Sequence, residues 1–396
     1  MKILIADKLA KRSIEKLEQL GCIITNQPEL KAEDIPSVIS NYEILVVRST
    51  KVTKETIDVA DKLALIIRAG AGVNTIDLNA ASDKGIHVAN CPGKNADAVA
   101  ELAIGLLISA DRRIPAADAA IKKGAWLKKE FGKARGLKGR TLGIIGLGNI
   151  GKKVIEKAKG MEMNIVAWSR SLTLEKAKLL GIEFAESPID VAKISDAISL
   201  HLAAKPETKH FINENFFNEM KEGAIFVNTA RGEIVDTEKL KNAIKNKNLR
   251  VALDVFENEP KGGKADFTDN ELAELAICTP HIGASTEQSS EAIADEVVAI
   301  VEKYISTGFP LNAVNIREKT VAKFNLVVRH YNKAGVLANI LDLLKEQHIN
   351  IEEMQNSIFE GGKAATCNLK LDDCPSKNLI EQMNKCDDII KIVLQK

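Results

Sequence analysis

One segment of this 396-residue chain constrains its fold more than any other. The apolar run from Thr141 to Ile145 leads directly into Gly146-Leu147-Gly148-Asn149-Ile150-Gly151, and a helical pattern follows over residues 152–159. The first glycine permits a tight turn, the second allows close approach of a pyrophosphate, and the third lets the helix pack closely on the strand. The helix N-terminus also attracts phosphate charge. The sequence therefore predicts a dinucleotide site at Gly146, Gly148, Asn149, Ile150 and Gly151.

The remaining chain supports an α/β fold, because apolar strand-like runs alternate with helical patterns. Several runs are continuous and rich in β-branched residues, as in parallel strands buried on both faces. The expected strands are Lys2–Ala6, Ile44–Val47, Leu65–Ile67, Thr141–Ile145, Asn164–Trp168, Ala197–His201, Ala224–Asn228 and Val251–Leu253. This order predicts doubly wound sheets.

The pattern changes around residues 312–323, after a helical stretch (289–306) that ends at a Gly-Phe-Pro break. The last 75 residues show strand, helix, strand, strand, helix and strand patterns. This βαββαβ order predicts a ferredoxin-like small domain.

Composition excludes several partners. Lys and Arg total 55 against 54 Asp and Glu, and aromatic residues make up 4%, so we expect no nucleic-acid partner. The longest apolar segment, residues 99–110, is too short to cross a bilayer, and no leader pattern precedes the first strand. The six cysteines have no metal-ligand spacing, so we expect no metal site and six small buried thiols, kept reduced in a cytoplasmic location.

Three further strand-like runs are each followed by one candidate catalytic residue: Arg231, Glu259 and His281. These side chains are expected at the carboxyl edge of the sheet, where α/β proteins bind ligands. A guanidinium holds a carboxylate and polarises the neighbouring oxygen. An imidazole takes a hydroxyl proton, and a carboxylate on its other nitrogen fixes the tautomer. Together they suit the oxidation of a 2-hydroxy acid.

These segments, the glycine fingerprint and the run Asn90–Glu101 closely resemble the D-isomer-specific 2-hydroxyacid dehydrogenase family over about residues 1–315. The resemblance implies a cleft between two Rossmann-like domains: a discontinuous substrate domain (1–93 and 285–315) and a dinucleotide domain (94–284). It assigns catalysis to Arg231, Glu259 and His281. It also implies dinucleotide contacts at Asn149, Ile150, Ser169, Thr229, Ala230, Asp254, Gly283 and Ala284.

Coenzyme choice stays open at this point. After the second strand of the dinucleotide fold, NAD-using members carry an acid for the ribose hydroxyls, whereas this chain has Ser169 and Arg170. A guanidinium suits the 2′-phosphate of NADP(H), but Ser169 can equally bond a ribose hydroxyl of NAD(H), with Arg170 over the adenine. NAD(H) is our first expectation, and NADP(H) is the alternative.

The substrate is expected to lie against two loops of the N-terminal domain. Arg48 and Ser49 end one strand there, and the Gly72–Val73 turn offers backbone amides to a carboxylate. Asn95 completes the expected contacts. The guanidinium of Arg48, with Lys51 near it, suits a phosphate at the far end of the substrate. A solvated loop charge is the alternative explanation.

Residues 322–396 resemble an ACT domain, a regulatory fold that binds amino acids between paired copies. By this resemblance His330, Asn332 and Asn350 match positions where ACT-bearing family members bind L-serine. Asn amides can both donate to a carboxylate and accept from an ammonium group. L-serine is therefore the expected effector, and a homo-oligomer, dimer or tetramer, is expected. The alternative is that the module only dimerises the chain.

Together these resemblances imply an enzyme that oxidises 3-phosphoglycerate at the start of L-serine synthesis. Two alternatives remain open: a glyoxylate or hydroxypyruvate reductase of the same family, and a corepressor-like protein that senses the dinucleotide without turnover.

Overall fold

The computed structural model describes residues 1–260, 265–317 and 320–395, which form two compact units. The first unit, Met1–Asn315, contains two parallel β-sheets. The second unit begins at Ile316 and contains one antiparallel sheet. Each unit buries apolar clusters of its own. Residues 318–319, at the expected domain boundary, lie outside the described residues.

The first sheet has five parallel strands in the order β2-β1-β3-β4-β5. Its strands are β1 Lys2–Ile5, β2 Ile23–Asn26, β3 Ile44–Val47, β4 Leu65–Arg68 and β5 His87–Asn90. Its helices are α1 Lys11–Gln19, α2 Ile35–Val38, α3 Lys54–Asp58 and α4 Leu78–Asp83. The central strands β1, β3 and β4 are almost wholly buried, because helices cover both faces.

Three helices connect the two sheets: α5 Ala96–Arg112, α6 Ile114–Lys122 and α7 Lys128–Phe131. The second sheet has seven parallel strands in the order β12-β11-β10-β9-β6-β7-β8. They are β6 Thr141–Ile145, β7 Asn164–Trp168, β8 Glu183–Phe184, β9 Ala197–Leu200, β10 Ile225–Asn228, β11 Arg250–Leu253 and β12 Ile277–Cys278. The helices are α8 Asn149–Gly160, α9 Leu174–Leu180, α10 Pro188–Ile194, α11 Glu214–Glu219, α12 Thr237–Lys247 and α13 Asn270–Leu275. The strand order reverses between β6 and β9, and ligands bind at such switch points.

The chain then returns to the first sheet. Helix α14, Glu287–Thr307, packs Ile293, Val297 and Ile300 into the cluster that also contains Ile3 and Ile5. Beyond it, residues 312–314 form hydrogen bonds with strand β5. The helix ends at Gly308, which adopts the left-handed conformation expected of a C-terminal cap.

The second unit has the order β13 Phe324–Tyr331, α15 Val336–Glu346, β14 Ile351–Ile358, β15 Ala364–Leu371, α16 Lys377–Asn384 and β16 Ile389–Gln395. Its sheet order is β14-β15-β13-β16, with every pair antiparallel. The predicted βαββαβ succession and small antiparallel domain are therefore confirmed.

The structure corrects several expectations. Strands β2, β5 and β8 were not predicted, the strand expected before His281 is only the two-residue β12, and α8 begins at Asn149, inside the glycine fingerprint, rather than at residue 152. All six cysteines are free, but only three are buried; Cys278 and Cys374 are exposed and Cys386 is half-buried. Among the described residues no helix has the length and hydropathy to cross a membrane, and no metal-binding cluster is found.

Candidate active site

The imidazole of His281 and the carboxylate of Glu259 form a direct pair. Nδ1 of His281 lies 2.8 Å from Oε2 of Glu259, and the Phe256 amide donates to the other carboxylate oxygen at 3.1 Å. Burial by itself raises the pKa of Glu259, but the hydrogen bond and charge of His281, the Phe256 amide and the charge of Arg231 together hold that pKa below its ordinary value. Because Nδ1 is engaged, Nε2 is the nitrogen left to exchange a proton with a ligand.

Asp254 holds the turn that carries His281. One of its carboxylate oxygens accepts hydrogen bonds from Thr279 Oγ1 (2.6 Å) and the Ile282 amide (2.8 Å), and the other accepts from the Gly283 amide (2.8 Å). Asp254 is 1% exposed. His281 itself adopts a left-handed backbone, with φ of 51°, which is unfavourable for a residue with a side chain. The bonds to Asp254 stabilise this strained turn. Asp254 was predicted as a dinucleotide contact, and the structure gives it this additional role.

Arg231 lies on the adjacent strand-end turn. Its Nη2 is 2.9 Å from the position that a side-chain carbon at Gly72 would occupy, so the guanidinium reaches the predicted carboxylate-binding turn of the first sheet. The next residue, Gly232, packs directly on the backbone of Phe256 and Glu257, and any side chain there would overlap them. This close contact joins the Arg231 turn to the Glu259 turn. The structure thus brings all three predicted catalytic residues to neighbouring loops.

The glycine fingerprint fits a dinucleotide. A side-chain carbon at Gly146 would lie 2.5 Å from the carbonyl oxygen of His201, and one at Gly151 would overlap the carbonyl oxygen of Gly146, whereas the space beside Gly148 is open. Helix α8 starts here with no side chain capping its N-terminal amides. The open face and the free amides are what a bound pyrophosphate requires.

Other predicted cofactor contacts lie at the same edge of the second sheet. Ser169 and Arg170 directly follow β7, and Arg170 Nη1 lies 3.6 Å from Glu207. Thr229 and Ala230 are buried after β10, and the hydroxyl of Thr229 has no hydrogen-bond partner in the described part of the chain. Ile150, in the first turn of α8, and Ala284, next to Gly283, are half-buried.

The predicted substrate loops are held by residues that sequence reasoning missed. The Asp7 carboxylate accepts hydrogen bonds from the amides of Arg48 (2.7 Å), Ser49 (3.1 Å) and Thr50 (3.0 Å), which leaves only the side chains of Arg48 and Ser49 for a ligand. An acid directly after the first strand was the available signal for Asp7. Among the described residues, the amides of Gly72 and Val73 have no acceptor. Asn95 precedes α5, near Gly93, against which the side chain of Asn149 leans.

A third arginine, Arg68, was also missed. It ends β4 opposite Val47, the residue directly before Arg48, and its guanidinium folds over Gly70. Its Nε is buried without a partner. Burial, and then the charges of Arg231 and Arg48, lower the pKa of Arg68. None of the ion pairs within 4 Å in the described residues involves Arg48, Arg68 or Arg231, although all three are half-buried and cations taken out of water are normally paired.

In the second unit, His330 and Asn332 lie far from Asn350. His330 is 2% exposed, with Nδ1 2.8 Å from the Tyr331 carbonyl and Nε2 3.3 Å from Asn356 Oδ1. Asn332 donates to the Gly362 carbonyl at 3.0 Å. Asn350 precedes β14 at the end of the sheet where β13 begins, whereas His330 lies near the end of β13. One chain therefore does not bring the three together.

The fold and the site define a pyridine-nucleotide-dependent dehydrogenase. A family model described as "D-isomer specific 2-hydroxyacid dehydrogenase, NAD binding domain" matches residues 104–283. The chain belongs to this 2-hydroxyacid dehydrogenase family, as the resemblance implied.

The proteins to which the chain is similar have dehydrogenase or reductase names that fit this family, but the names give different substrates. The chain is 38% identical over 358 residues to D-3-phosphoglycerate dehydrogenase of Methanocaldococcus jannaschii, covering 89% of this chain and 67% of that protein. It is 38% identical to hydroxypyruvate reductase of Thermotoga maritima, covering 75% and 96%. The NAD+-bound structure of 3-phosphoglycerate dehydrogenase from Entamoeba histolytica superimposes with a TM-score of 0.66 at 30% identity, covering 80% and 99%. The chain thus spans about two thirds of the length of the archaeal relative.

Proposed function

We propose that this protein is a D-3-phosphoglycerate dehydrogenase, which oxidises 3-phosphoglycerate to 3-phosphohydroxypyruvate in L-serine synthesis. The observation that carries the proposal is a group of three arginines with no carboxylate within 4 Å in the described residues: Arg68 folds over Gly70, Arg231 reaches Gly72, and Arg48 lies near enough to lower the pKa of Arg68. Such a site suits a substrate with two anionic ends. The name shared by the archaeal relative and the solved Entamoeba structure supports the same substrate.

The residues perform the oxidation as follows. The amides of Gly72 and Val73 and the guanidinium of Arg231 hold the substrate carboxylate, and Arg48 with Arg68 holds the phosphate. Nε2 of His281 takes the C2 hydroxyl proton while the C–H electron pair leaves C2 as a hydride, and Glu259 stabilises the imidazolium formed. The nicotinamide ring, when bound, supplies the hydride acceptor.

The coenzyme is proposed to be NAD(H). The matched family domain is described as NAD binding, and the Entamoeba structure contains NAD+. Arg170 also lies near Glu207, a carboxylate that disfavours a 2′-phosphate beside it. NADP(H) remains the alternative, because Ser169 stands in the place of an acid. A Ser169→Asp variant is expected to lower use of NADP+ with little effect on NAD+, measured as kcat/KM for each coenzyme.

The domain assignment follows from the same proposal. Residues 1–93 with 285–315 serve as the substrate domain and residues 94–284 as the dinucleotide domain, which agrees with the return of α14 to the first sheet. Residues 322–396 serve as an ACT domain that binds L-serine.

The serine site requires two copies of the chain. His330 and Asn332 lie at one end of the small sheet and Asn350 at the other, so an antiparallel pair of copies supplies all three to one ligand. Calorimetric titration of L-serine is expected to show binding to the wild type and none to Asn350→Ala, whereas Asn378→Ala, an exposed helical asparagine, binds normally. A wild type that does not bind serine would remove the effector from the proposal.

Steady-state assays test the enzymatic proposal. The purified protein is offered 3-phosphoglycerate with each coenzyme, and hydroxypyruvate and glyoxylate in the reducing direction. We expect the highest kcat/KM with the phosphorylated substrate. Preference for an unphosphorylated acid would favour the second candidate, a hydroxypyruvate or glyoxylate reductase, which the Thermotoga relative supports. Dinucleotide binding without turnover would favour the corepressor-like alternative.

A further inference from the structure

The structure contains a second histidine–glutamate pair that the proposed chemistry does not use. Nε2 of His210 lies 2.5 Å from Oε1 of Glu257, and the side chains are 40% and 24% exposed. His210 has a φ of 50°, in the left-handed region that side chains rarely adopt. Strained, partly buried pairs of this kind persist only where surrounding contacts hold them.

The backbone of His210 is attached to the Arg231 turn. The His210 amide donates to the Glu233 carbonyl at 2.9 Å, and the Ile212 amide donates to the Ile234 carbonyl at 3.0 Å. A parallel bridge between Ile212 and Val235 continues this attachment. The His210 segment and the turn that presents Arg231 therefore form one body.

Glu257 lies on the other turn, two residues before Glu259. Burial raises the pKa of Glu257, but hydrogen bonds from His210 and Thr237 hold that pKa below its ordinary value, so the side chain is a carboxylate at neutral pH. A bond from an imidazole to a charged carboxylate is among the stronger side-chain hydrogen bonds. The His210–Glu257 bond connects the Arg231 turn to the Glu259 turn, at the place where Gly232 packs on the backbone of Phe256 and Glu257.

We infer that His210 and Glu257 are positioning residues, which fix the Glu259 turn against the Arg231 turn and so hold Glu259 on Nδ1 of His281. The inference rests on the proposed dehydrogenase function. The Phe256 amide, which donates to Glu259, belongs to the residue directly before Glu257, so movement of Glu257 displaces a donor to the His281–Glu259 pair. Misplacement of a catalytic group by about 1 Å costs on the order of 100-fold in rate.

A double-mutant cycle tests this inference through activity. Glu257→Ala is expected to lower kcat about 10- to 100-fold while KM for both substrates changes less than about threefold. Glu257→Gln, whose amide oxygen still accepts a hydrogen bond, should restore most of the rate. In a Glu259→Ala background, removing Glu257 should cause almost no further loss, because the pair acts through Glu259.

A matched control and two checks make the result decisive. Glu214→Ala removes a carboxylate that pairs with Lys239 at 3.0 Å in the same domain, and it should leave kcat unchanged. Fluorescence titration with NADH and thermal melting establish that each variant is folded. Equal losses from Glu257→Ala with and without Glu259 would overturn the positioning role.

The cycle does not depend on the identity of the hydroxy acid. If 3-phosphoglycerate is not oxidised but hydroxypyruvate is reduced, the substrate proposal fails and the same cycle is run with hydroxypyruvate. A wild-type protein that turns over no 2-hydroxy or 2-oxo acid would overturn both proposals.

Discussion

At the scale of single residues, His281, the proposed proton acceptor, is held both through its side chain and through its backbone turn. Glu259 engages Nδ1 of His281, and Asp254 holds the turn on which His281 sits. The imidazole is therefore fixed in position and tautomer before any ligand arrives. Such preorganisation is a main source of enzymatic rate, because no reorientation is needed during the reaction.

Removing the imidazole of His281 should affect the rate of the reaction but not the binding of the dinucleotide. His281→Ala is expected to lower kcat by about 100- to 10,000-fold, the usual contribution of general acid–base catalysis. The glycine fingerprint lies on a different loop, so NADH affinity measured by fluorescence should change little. An active His281→Ala enzyme would contradict the assignment of the proton acceptor.

Arg68 provides a test of substrate charge. Its half-buried guanidinium has no carboxylate within 4 Å in the described residues and is repelled by the charges of Arg231 and Arg48, so Arg68→Met removes both the proposed phosphate contact and a repulsion. We expect kcat/KM for 3-phosphoglycerate to fall about 10- to 100-fold, the value of a lost charge-assisted contact. Reduction of unphosphorylated hydroxypyruvate should change by less than about threefold, and the melting temperature without substrate should not fall.

The matched control for Arg68 is Arg12→Met, which removes an exposed arginine paired with Asp295 at 2.9 Å. It should change kcat/KM for neither 3-phosphoglycerate nor hydroxypyruvate. Equal losses with both substrates in Arg68→Met would indicate that Arg68 supports the Gly70–Gly72 turn rather than selecting phosphate.

At the scale of elements, Asp196 joins the starts of two central strands. Its carboxylate, before β9, accepts the Thr141 amide at 3.0 Å, at the start of β6, and pairs with Lys221 at 3.4 Å. Burial raises the pKa of Asp196, but the Thr141 amide, Lys221 and Arg140 outweigh it and hold the pKa below its ordinary value of 3.8.

This depressed pKa gives a pH dependence with a defined sign. A lowered folded-state pKa contributes stability that is present above pH 3.8 and is lost as pH falls through the folded-state value. The difference in unfolding free energy between the wild type and Asp196→Asn should therefore be largest at neutral pH and shrink below pH 4. Urea unfolding from pH 7 to pH 3 measures it. Asp118→Asn, from the exposed pair with Lys122, should show little difference at any pH. A difference for Asp196→Asn that grows on acidification would contradict the sign.

Sequence periodicity predicted the elements that are long or wholly buried, and it missed the short and peripheral ones. Strand β2 is an edge strand with exposed ends, and β8 and β12 have two residues each, so none carries a distinct apolar run. Of the proposed catalytic residues, Arg231 and Glu259 were predictable because each follows a recognisable strand, and His281 because its segment resembles the family. Arg68 and His210 were not, because their surroundings depend on the register of strands and loops that are distant in sequence, and the position of Asp7 after the first strand does not by itself show which amides it binds.

At the scale of the whole molecule, the two units have separate cores. The four apolar clusters of the first unit include no residue beyond Tyr304, and the cluster of the second unit includes none before Phe324. All three proposed catalytic residues and the glycine fingerprint belong to the first unit. A domain with its own core is able to fold alone. The first unit therefore contains every residue of the proposed reaction, and the second unit contains none of them.

This division leads to an expectation for a shortened chain. A protein that ends at Asn315 should retain kcat/KM for its hydroxy acid within about threefold, because it keeps every core cluster and site residue of the first unit. It should also lose any response to L-serine that the full chain shows, as measured by activity across a serine titration. The full-length Asn350→Ala variant is the matched control, since it lacks the same response with both units present. Serine inhibition that persists in the shortened chain would place the effector site among the first 315 residues, and loss of folding there would show that the first unit depends on the second.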